Sequence, residues 1–563
     1  MADTETLRYD VVILGGALAG ASTALLLRRR QPELRVLIIE RKTAFDWKVG
    51  ESTVETSTYF LTRILRLYEH LTREQLTKHG LRYWFHHGAA TTLKEVSEAG
   101  PNQLPRIPGF QVDRAKLDEH VLKLAVEAGA ELWRPAKILE ASLPEENGSP
   151  ESVVRVERDG RTVEVRAGWM VDASGRSAIV ARRRGWLHPL EEHPTSAAWA
   201  RFRGVTDLDS HEVSGDPDTP FGGYSISSRR LATNHFNGYG YWIWFIPLSG
   251  GETSIGAVWD KRLVQPEGNS AEERLYWFLN GNPLTKDLVK NAKPIEGDMW
   301  TFNHLPYLVD RVVGKGWSLV GDAAGFLDPF YSPGIDQIAF SVSWTLELIK
   351  RQTMKPDPME FEEELKEHNE LYLQYIKGLF TTIYKDKYYL MGDYDTMLTA
   401  FLMDTALYYV FVASPLWRKG SMRLLQPPFY PKHSHYAFHS IRFYQSRLVK
   451  IAQRKFKLGI YGNRNAGRRP RLPGFTMKWG TPIMLAHGIV RWIRAEMENA
   501  WSYIARPRPL KAGMPGPIRV PEMTTAPAPL SPESVDVAPP SVSSNPHPAD
   551  REEGSPLRAP VGS

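Results

Sequence analysis

The stretch from Asp10 to Glu40 leaves few choices of fold. A short apolar run, Asp10-Val11-Val12-Ile13-Leu14, stops at Gly15-Gly16-Ala17-Leu18-Ala19-Gly20, and a helical pattern follows with Ala21, Ala24, Leu25, Leu26 and Leu27 inside. Arg28, Arg29 and Arg30 end that helix, where cations suit the negative end of its dipole. A second apolar run, Val36 to Ile39, closes on an acid, Glu40. This is a β-α-β unit whose glycine turn can lay a pyrophosphate on a helix N-terminus, with the acid placed for a ribose hydroxyl. The middle glycine of the usual pattern is Ala17, so a methyl group stands where backbone and pyrophosphate approach most closely.

A chain of 563 residues with 42% hydrophobic content has enough for two or three domains. The absence of cysteine removes disulfides, thiolate catalysis and zinc-thiolate sites, and it suits a reducing, cytoplasmic setting. The polar, acidic start, Met1 to Glu5, has no signal-peptide pattern. The longest apolar run, Met397 to Val412, is broken by Asp404 and is shorter than the roughly 20 residues of a bilayer span. No metal site is expected.

The net charge of +6 is unevenly spread: from Thr405 to Arg494 there are seventeen Lys or Arg and no Asp or Glu. Such a block should attract an anionic partner. No nucleic-acid module accompanies it, which leaves an acidic carrier protein or an anionic membrane surface, the latter making the protein peripherally membrane-associated.

Further along, Lys48-Val49-Gly50-Glu51-Ser52 forms a charged turn, and Lys78-His79-Gly80-Leu81-Arg82-Tyr83-Trp84-Phe85 opens an aromatic strand. Arg114 leads a helix ended by Gly129, and a hairpin turns at Asp159-Gly160. Two more strands deliver an acid to a glycine turn: Trp169-Met170-Val171 before Asp172 and Gly175, and Trp317 to Val320 before Gly321-Asp322. Between them, residues 197 to 258 read as an antiparallel sheet, with Tyr241-Trp242-Ile243-Trp244-Phe245-Ile246-Pro247 apolar on both faces. Residues 337 to 415 are helical and amphipathic, and beyond about Lys511 the composition is that of a disordered tail.

These ordered acid-and-glycine strand ends, with Arg114, resemble the FAD-dependent monooxygenase superfamily over residues 9 to about 350. The resemblance implies an α/β fold, with a Rossmann-like FAD-binding domain of the glutathione reductase and p-hydroxybenzoate hydroxylase type (1–190 and 295–350). An antiparallel β-sheet substrate domain (191–294) is expected between the two parts of that domain, and pattern and composition add a helical, basic C-terminal region (351–510) and the disordered tail (511–563). FAD would be held by Gly15, Ala17, Gly20, Glu40, Lys48, Glu51, Arg114, Asp172, Gly175, Gly321, Asp322, Gly334 and Ile335.

Within that superfamily, Trp242-x-Trp244-x-Ile246-Pro247 is similar to the signature of flavin-dependent halogenases, although a buried aromatic strand alone would also explain it. Lys78-x-Gly80, followed by Tyr83 and Phe85, resembles the strand carrying their essential lysine. Lys48 to Ser52 resembles a motif of the branch acting on phenols and pyrroles, some of whose members act on carrier-bound substrates. The implied reaction uses reduced FAD, oxygen and halide to make a hypohalous acid that reaches Lys78, beside an electron-rich aromatic substrate. Trp242, Trp244, Pro247 and Ser332 would line the path of oxidant or substrate. Pro333 departs from the pattern, because it has no N–H to give in a loop whose backbone amides bind halide in the family. Tyr331 stands where tryptophan halogenases carry a catalytic glutamate, which argues against free tryptophan. An FAD-dependent aromatic hydroxylase is the competing reading, and a flavin-binding interaction protein without turnover is a third. With no second dinucleotide loop for NADPH, a separate flavin reductase is the expected electron source.

Overall fold

Strand Thr6–Leu14 sits in the middle of an eight-stranded sheet, which orders as Val313–Gly314, Trp317–Leu319, Arg161–Asp172, Thr6–Leu14, Val36–Ile39 and Glu131–Trp133. Strands Lys137–Ser142 and Ser152–Arg158 flank it off this path. The computed structural model describes residues 5–505 except 87–89, 91, 102–103, 106, 211–212, 214–226, 427–430 and 469–479. The expected tail at 511–563, together with Arg469, Arg471 and Lys478 of the basic block, lies outside the described residues.

Arg161–Asp172, Thr6–Leu14, Val36–Ile39 and Glu131–Trp133 run parallel, and all four residues of Val36–Ile39 are buried, as the unbroken apolar runs require. Strand register decides where the acids and glycines emerge. Leu14 pairs with Ile39 and with Asp172, and Asp172 pairs with Leu319. The glycine turn, Glu40, Asp172 and Gly321-Asp322 therefore all leave the sheet at one carboxyl edge, where ligands of open α/β sheets collect.

The second sheet has seven strands, in the order Lys293–Phe302, Thr195–Arg203, Thr253–Asp260, Tyr241–Pro247, Thr233–Gly238, Leu81–Phe85 and Ser97–Ala99. Its core matches the antiparallel expectation, and Tyr241 to Ile246 are buried on both faces. Two corrections concern its edges. Leu81–Phe85, Ser97–Ala99 and most of Lys293–Phe302 fall in the segments expected in the first domain, yet they belong to this sheet. Leu81–Phe85 also pairs parallel with Thr233–Gly238, because strands so distant in sequence are not held antiparallel by a hairpin.

The C-terminal region is helical as expected: Gly334–Thr353, Pro358–Leu379, Tyr394–Tyr408, Pro431–Lys457 and Gly480–Ile504. Asp357 and Asp393 cap two of these helices by accepting backbone N–H groups. Three helices widen into π-helical turns, at Phe60–Ile64, Phe380–Tyr384 and Tyr409–Ala413. Such turns are rare and gather at functional sites. The continuous helical stretch Tyr394–Lys419 is long and apolar enough to cross a membrane, but most of its apolar window is buried inside the protein.

Part of the basic block is neutralised from within. Lys455 binds Asp393, Arg447 binds Glu496, and Arg464 binds both Asp395 and Glu498. Arg454 donates to Ser502 and stacks on Tyr503. The acids absent from residues 405–494 come from just outside that window and pair with some of its cations, and a membrane surface is not supported.

Candidate active site

The carboxyl edge of the first sheet has the shape a dinucleotide needs. Gly15 has φ +104°, and a Cβ there would lie 2.7 Å from the Ala173 carbonyl oxygen. A Cβ on Gly20 would lie 1.9 Å from the Gly15 carbonyl oxygen, so the helix can start this close to the strand only with glycine present. Helix Leu18–Arg30 begins at Ala17 with no side-chain cap and no acid in its first turn, which leaves its N–H dipoles for an anion. Glu40 accepts from Gly16 N and Lys42 N, each at 2.8 Å, and is thereby fixed at the end of its strand. Asp322 is half-buried on the same edge; burial raises its pKa while Arg176, Arg114 and Lys48 oppose the rise. These features fit FAD.

Other residues expected at the cofactor are engaged with the chain itself. Asp172 accepts from Ser174 N at 3.0 Å and Val180 N at 2.8 Å, so it shapes the turn that holds Gly175 at φ +62°. Glu51 accepts from Arg201 at 2.8 and 3.0 Å in a buried ion pair. Arg114 and Lys48 both bind the buried carboxylate of Asp118, and Arg114 also donates to Val49 O at 3.3 Å. Gly50 is needed here because a Cβ would lie 2.7 Å from an Arg114 nitrogen. The motif from Lys48 to Ser52 is therefore a tether joining the first sheet's helix, the second sheet and, through Ser52, the next site.

That site is a cavity of about 190 Å³ lined by Lys78, Glu55, Asp336, Tyr331, Tyr408 and Asp404 among others. Lys78 is 3% exposed and donates to Ser52 Oγ and Thr53 O, both at 2.7 Å. Burial pushes its amine down to about 8, against the opposing pull of Glu55 and Asp336. Asp336, in the first turn of helix Gly334–Thr353, is pushed up to about 8 by burial. Its Oδ1 has no hydrogen-bond partner among the described residues. Asp404 accepts from Tyr331 at 3.0 Å, from Lys387 at 2.5 Å and from Tyr444. The π-helical turns at 380–384 and 409–413 supply Ile383, Tyr384, Tyr409 and Val412 to the wall.

The loop between the flavin edge and this cavity is strained. Tyr331 and Ser332 have φ of 71° and 57°, the left-handed region that a bulky side chain rarely adopts, at a cost of about 1–3 kcal/mol each. Pro333 then starts the helix of Gly334 and Ile335. Beneath the loop, Trp242 donates to Tyr388 at 3.1 Å, and its ring meets Phe330 edge to face. Trp244 donates to Ser254 at 3.1 Å. Trp242, Trp244, Pro247 and Ser332 do not line the Lys78 cavity, whereas Tyr331 and Pro333 do. Sequence reasoning missed Asp336, Glu55 and Tyr408 as site residues. Asp404 gave a signal as the one charge in an apolar run.

The tryptophan halogenase family profile matches residues 10–101 and 97–391, more than half of the chain. The chain belongs to this family. A flavin-dependent halogenase of Dictyostelium discoideum is 28% identical over 376 residues, which are 61% of this chain and 60% of that protein. This chain thus spans about three fifths of that relative's length. The 1H-pyrrole-2-carbonyl-[peptidyl-carrier protein] chlorinase of Pseudomonas fluorescens is 26% identical over 343 residues, 58% of this chain and 72% of that one. The halogenase PltM shares the fold with a TM-score of 0.67 at 17% identity, covering 87% of this chain and 97% of its own.

Proposed function

We propose that this member of the halogenase family is an FAD-dependent enzyme that halogenates an electron-rich aromatic ring, a phenol or a pyrrole, free or carrier-bound, in the cytoplasm. The observation that carries this reading is Lys78: a buried amine with its pKa brought down to about 8, opening on an apolar cavity next to the strained loop. FAD, when bound and reduced by a partner flavin reductase, supplies the electrons for oxygen activation and hence the oxidised halogen. Gly15, Ala17 and Gly20 would cradle its pyrophosphate, Glu40 and Asp322 would hold its sugar and ribitol ends, and Gly334 and Ile335 would meet it from the first turn of their helix.

The rest of the chemistry belongs to the chain. Neutral Lys78 attacks hypohalous acid at halogen, forming N–halogen and releasing water. The ring carbon then takes the halogen from nitrogen, and the amine regains a proton as the ring loses one. Only the unprotonated amine has the lone pair this requires, and burial is what makes that form accessible near neutral pH. Asp336 Oδ1, otherwise unpartnered, accepts the phenol O–H or pyrrole N–H and so sets which ring carbon meets Lys78. Mass spectrometry of products from reduced FAD, oxygen and a panel of phenols and pyrroles, with chloride and then bromide, tests the proposal. Oxygenated products formed without regard to halide would sink it in favour of a hydroxylase.

A further inference from the structure

The last described helix, Gly480–Ile504, is apolar on two faces. The inward one packs on the core: Thr481, Met484, Gly488 and Ala495 are buried, Leu485 and Trp492 are partly buried beside them, and a Cβ on Gly488 would lie 2.6 Å from Met403. The outward face carries large apolar side chains as well. Ile483, Val490, Met497 and Ile504 are 46%, 65%, 67% and 80% exposed. Ile493 and Trp501 beside them are 52% and 64% exposed. A surface helix normally turns its apolar stripe inward, and a contiguous exposed patch of this size marks an interaction site.

The spacing identifies the kind of partner. Ile483, Val490, Met497 and Ile504 recur every seven residues, and Ala486, Ile493 and Ala500 each follow three residues behind. That is the seam of paired helices. The helix also lacks the cationic face that holds amphipathic helices on anionic lipid: Arg491 and Arg494 are balanced by Glu496 and Glu498, both acids being bonded to arginines of this chain.

We propose that this seam is covered by the same helix of a second copy of the chain, packed antiparallel about a two-fold axis between Val490 and Ile493. This register overlaps the two helices over their whole length. It sets Ile483 against Ala500 of the other copy, Met497 against Ala486, and Val490 against Ile493. Large side chains then meet small ones at both ends, the alternation that lets two helix faces interdigitate. An isologous contact of this kind closes on itself and yields a dimer rather than a filament.

The chain has no cysteine, so cross-linking can be read without background. Ile483 and Ala500 lie 17 residues apart, about 25 Å along one helix, too far to bridge within a copy. The full chain should have twice its monomer mass in sedimentation equilibrium, and Met497→Glu should return it to a monomer with unchanged FAD content. The double variant Ile483→Cys, Ala500→Cys should give an oxidised, covalent dimer, while Ile483→Cys alone should not. A wild type that is monomeric at every concentration overturns the proposal, as does flotation of that monomer on phosphatidylserine vesicles lost in Met497→Glu, which would give the seam to lipid. Cross-linking by Ile483→Cys alone overturns the antiparallel arrangement.

Discussion

Lys78 Nζ lies 2.7 Å from Ser52 Oγ, and this one contact joins the two motifs that are read separately in the sequence. Ser52 belongs to the tether that also holds Arg114 and Arg201, so the amine is fixed relative to both sheets. Lys78→Met, close in size and without charge, should eliminate halogenation while FAD content and halide-independent oxygen consumption persist. In the wild type the rate should rise with pH through about 8 as the amine loses its proton. Stability should move the same way, because between pH 8 and 10.5 the unfolded chain holds a proton on Lys78 that the folded chain does not. The gain across that window is about 3 kcal/mol, and pH-dependent thermal unfolding of Lys78→Met should lack it.

Asp336 titrates in a different window and with the opposite sign. Folded, it keeps its proton up to about 8, whereas the unfolded carboxyl releases it near 3.8. The wild type should therefore lose stability as pH climbs between these values, by at most about 1.4 kcal/mol per unit. Asp336→Asn removes that loss and should melt higher than wild type at pH 7. Asparagine keeps an accepting Oδ1 like that of the neutral carboxyl. Asp336→Ala, which removes that oxygen, is therefore the variant whose halogenation should fall and spread over ring positions, read as the ratio of product isomers. An unchanged isomer ratio would remove Asp336 from substrate positioning.

At the cofactor edge, Gly15→Ala should already reduce FAD retention. The added methyl meets a backbone carbonyl 2.7 Å away, and φ of +104° is closed to alanine in any case. Flavin absorbance per mole of purified protein is the measurement, and full retention would place the pyrophosphate elsewhere.

What the sequence made legible was whatever depends on local pattern. The apolar runs ending at Leu14, Ile39, Asp172 and Val320 gave the parallel sheet, and strand register alone gathered their acids and glycines at one edge. Lys78 was found because its flanking residues are distinctive. What stayed hidden depends on partners far away in sequence. Asp336 is an unremarkable helix acid until burial strips its oxygen of partners, and Glu55 looks like any helix start. The ion pairs within the basic block were hidden for the same reason: Asp393 and Asp395 lie before its window and Glu496 and Glu498 after it, so a running charge count could not see them.

Glu51 separates a structural role from a cofactor role. It is 2% exposed and binds Arg201, whose third nitrogen reaches Asp298 at 3.2 Å. Glu51→Gln keeps the shape and removes the charge, leaving Arg201 with half its compensation. Breaking a buried pair costs about 3–5 kcal/mol, and the remaining Asp298 contact should hold the loss to the lower end. The melting temperature should fall markedly, with FAD affinity of the folded fraction little changed. Weaker FAD binding at an unaltered melting temperature would instead put Glu51 against the flavin.

Pro333 offers a gain rather than a loss. It occupies the N-cap of the 20-residue helix Gly334–Thr353 with φ −78° and ψ −8°, and no side chain caps that helix. Threonine can take the same backbone angles, and it brings an N–H that proline lacks. With ψ in the helical and not the extended region, its hydroxyl is not placed to cap the first turn, so no gain in stability is expected. Its own N–H adds a donor to the loop that follows the strained Tyr331 and Ser332, and a hydrogen bond to an anion contributes about 1.5–3 kcal/mol. Pro333→Thr should therefore lower the halide concentration giving half-maximal rate by about tenfold or more, without changing the identity of the products. Unfolding in halide-free buffer checks that the loop keeps its shape, and halide titration of the rate reports the donor. A variant that is folded yet shows the wild-type halide dependence would mean that the amide at position 333 does not face the halide.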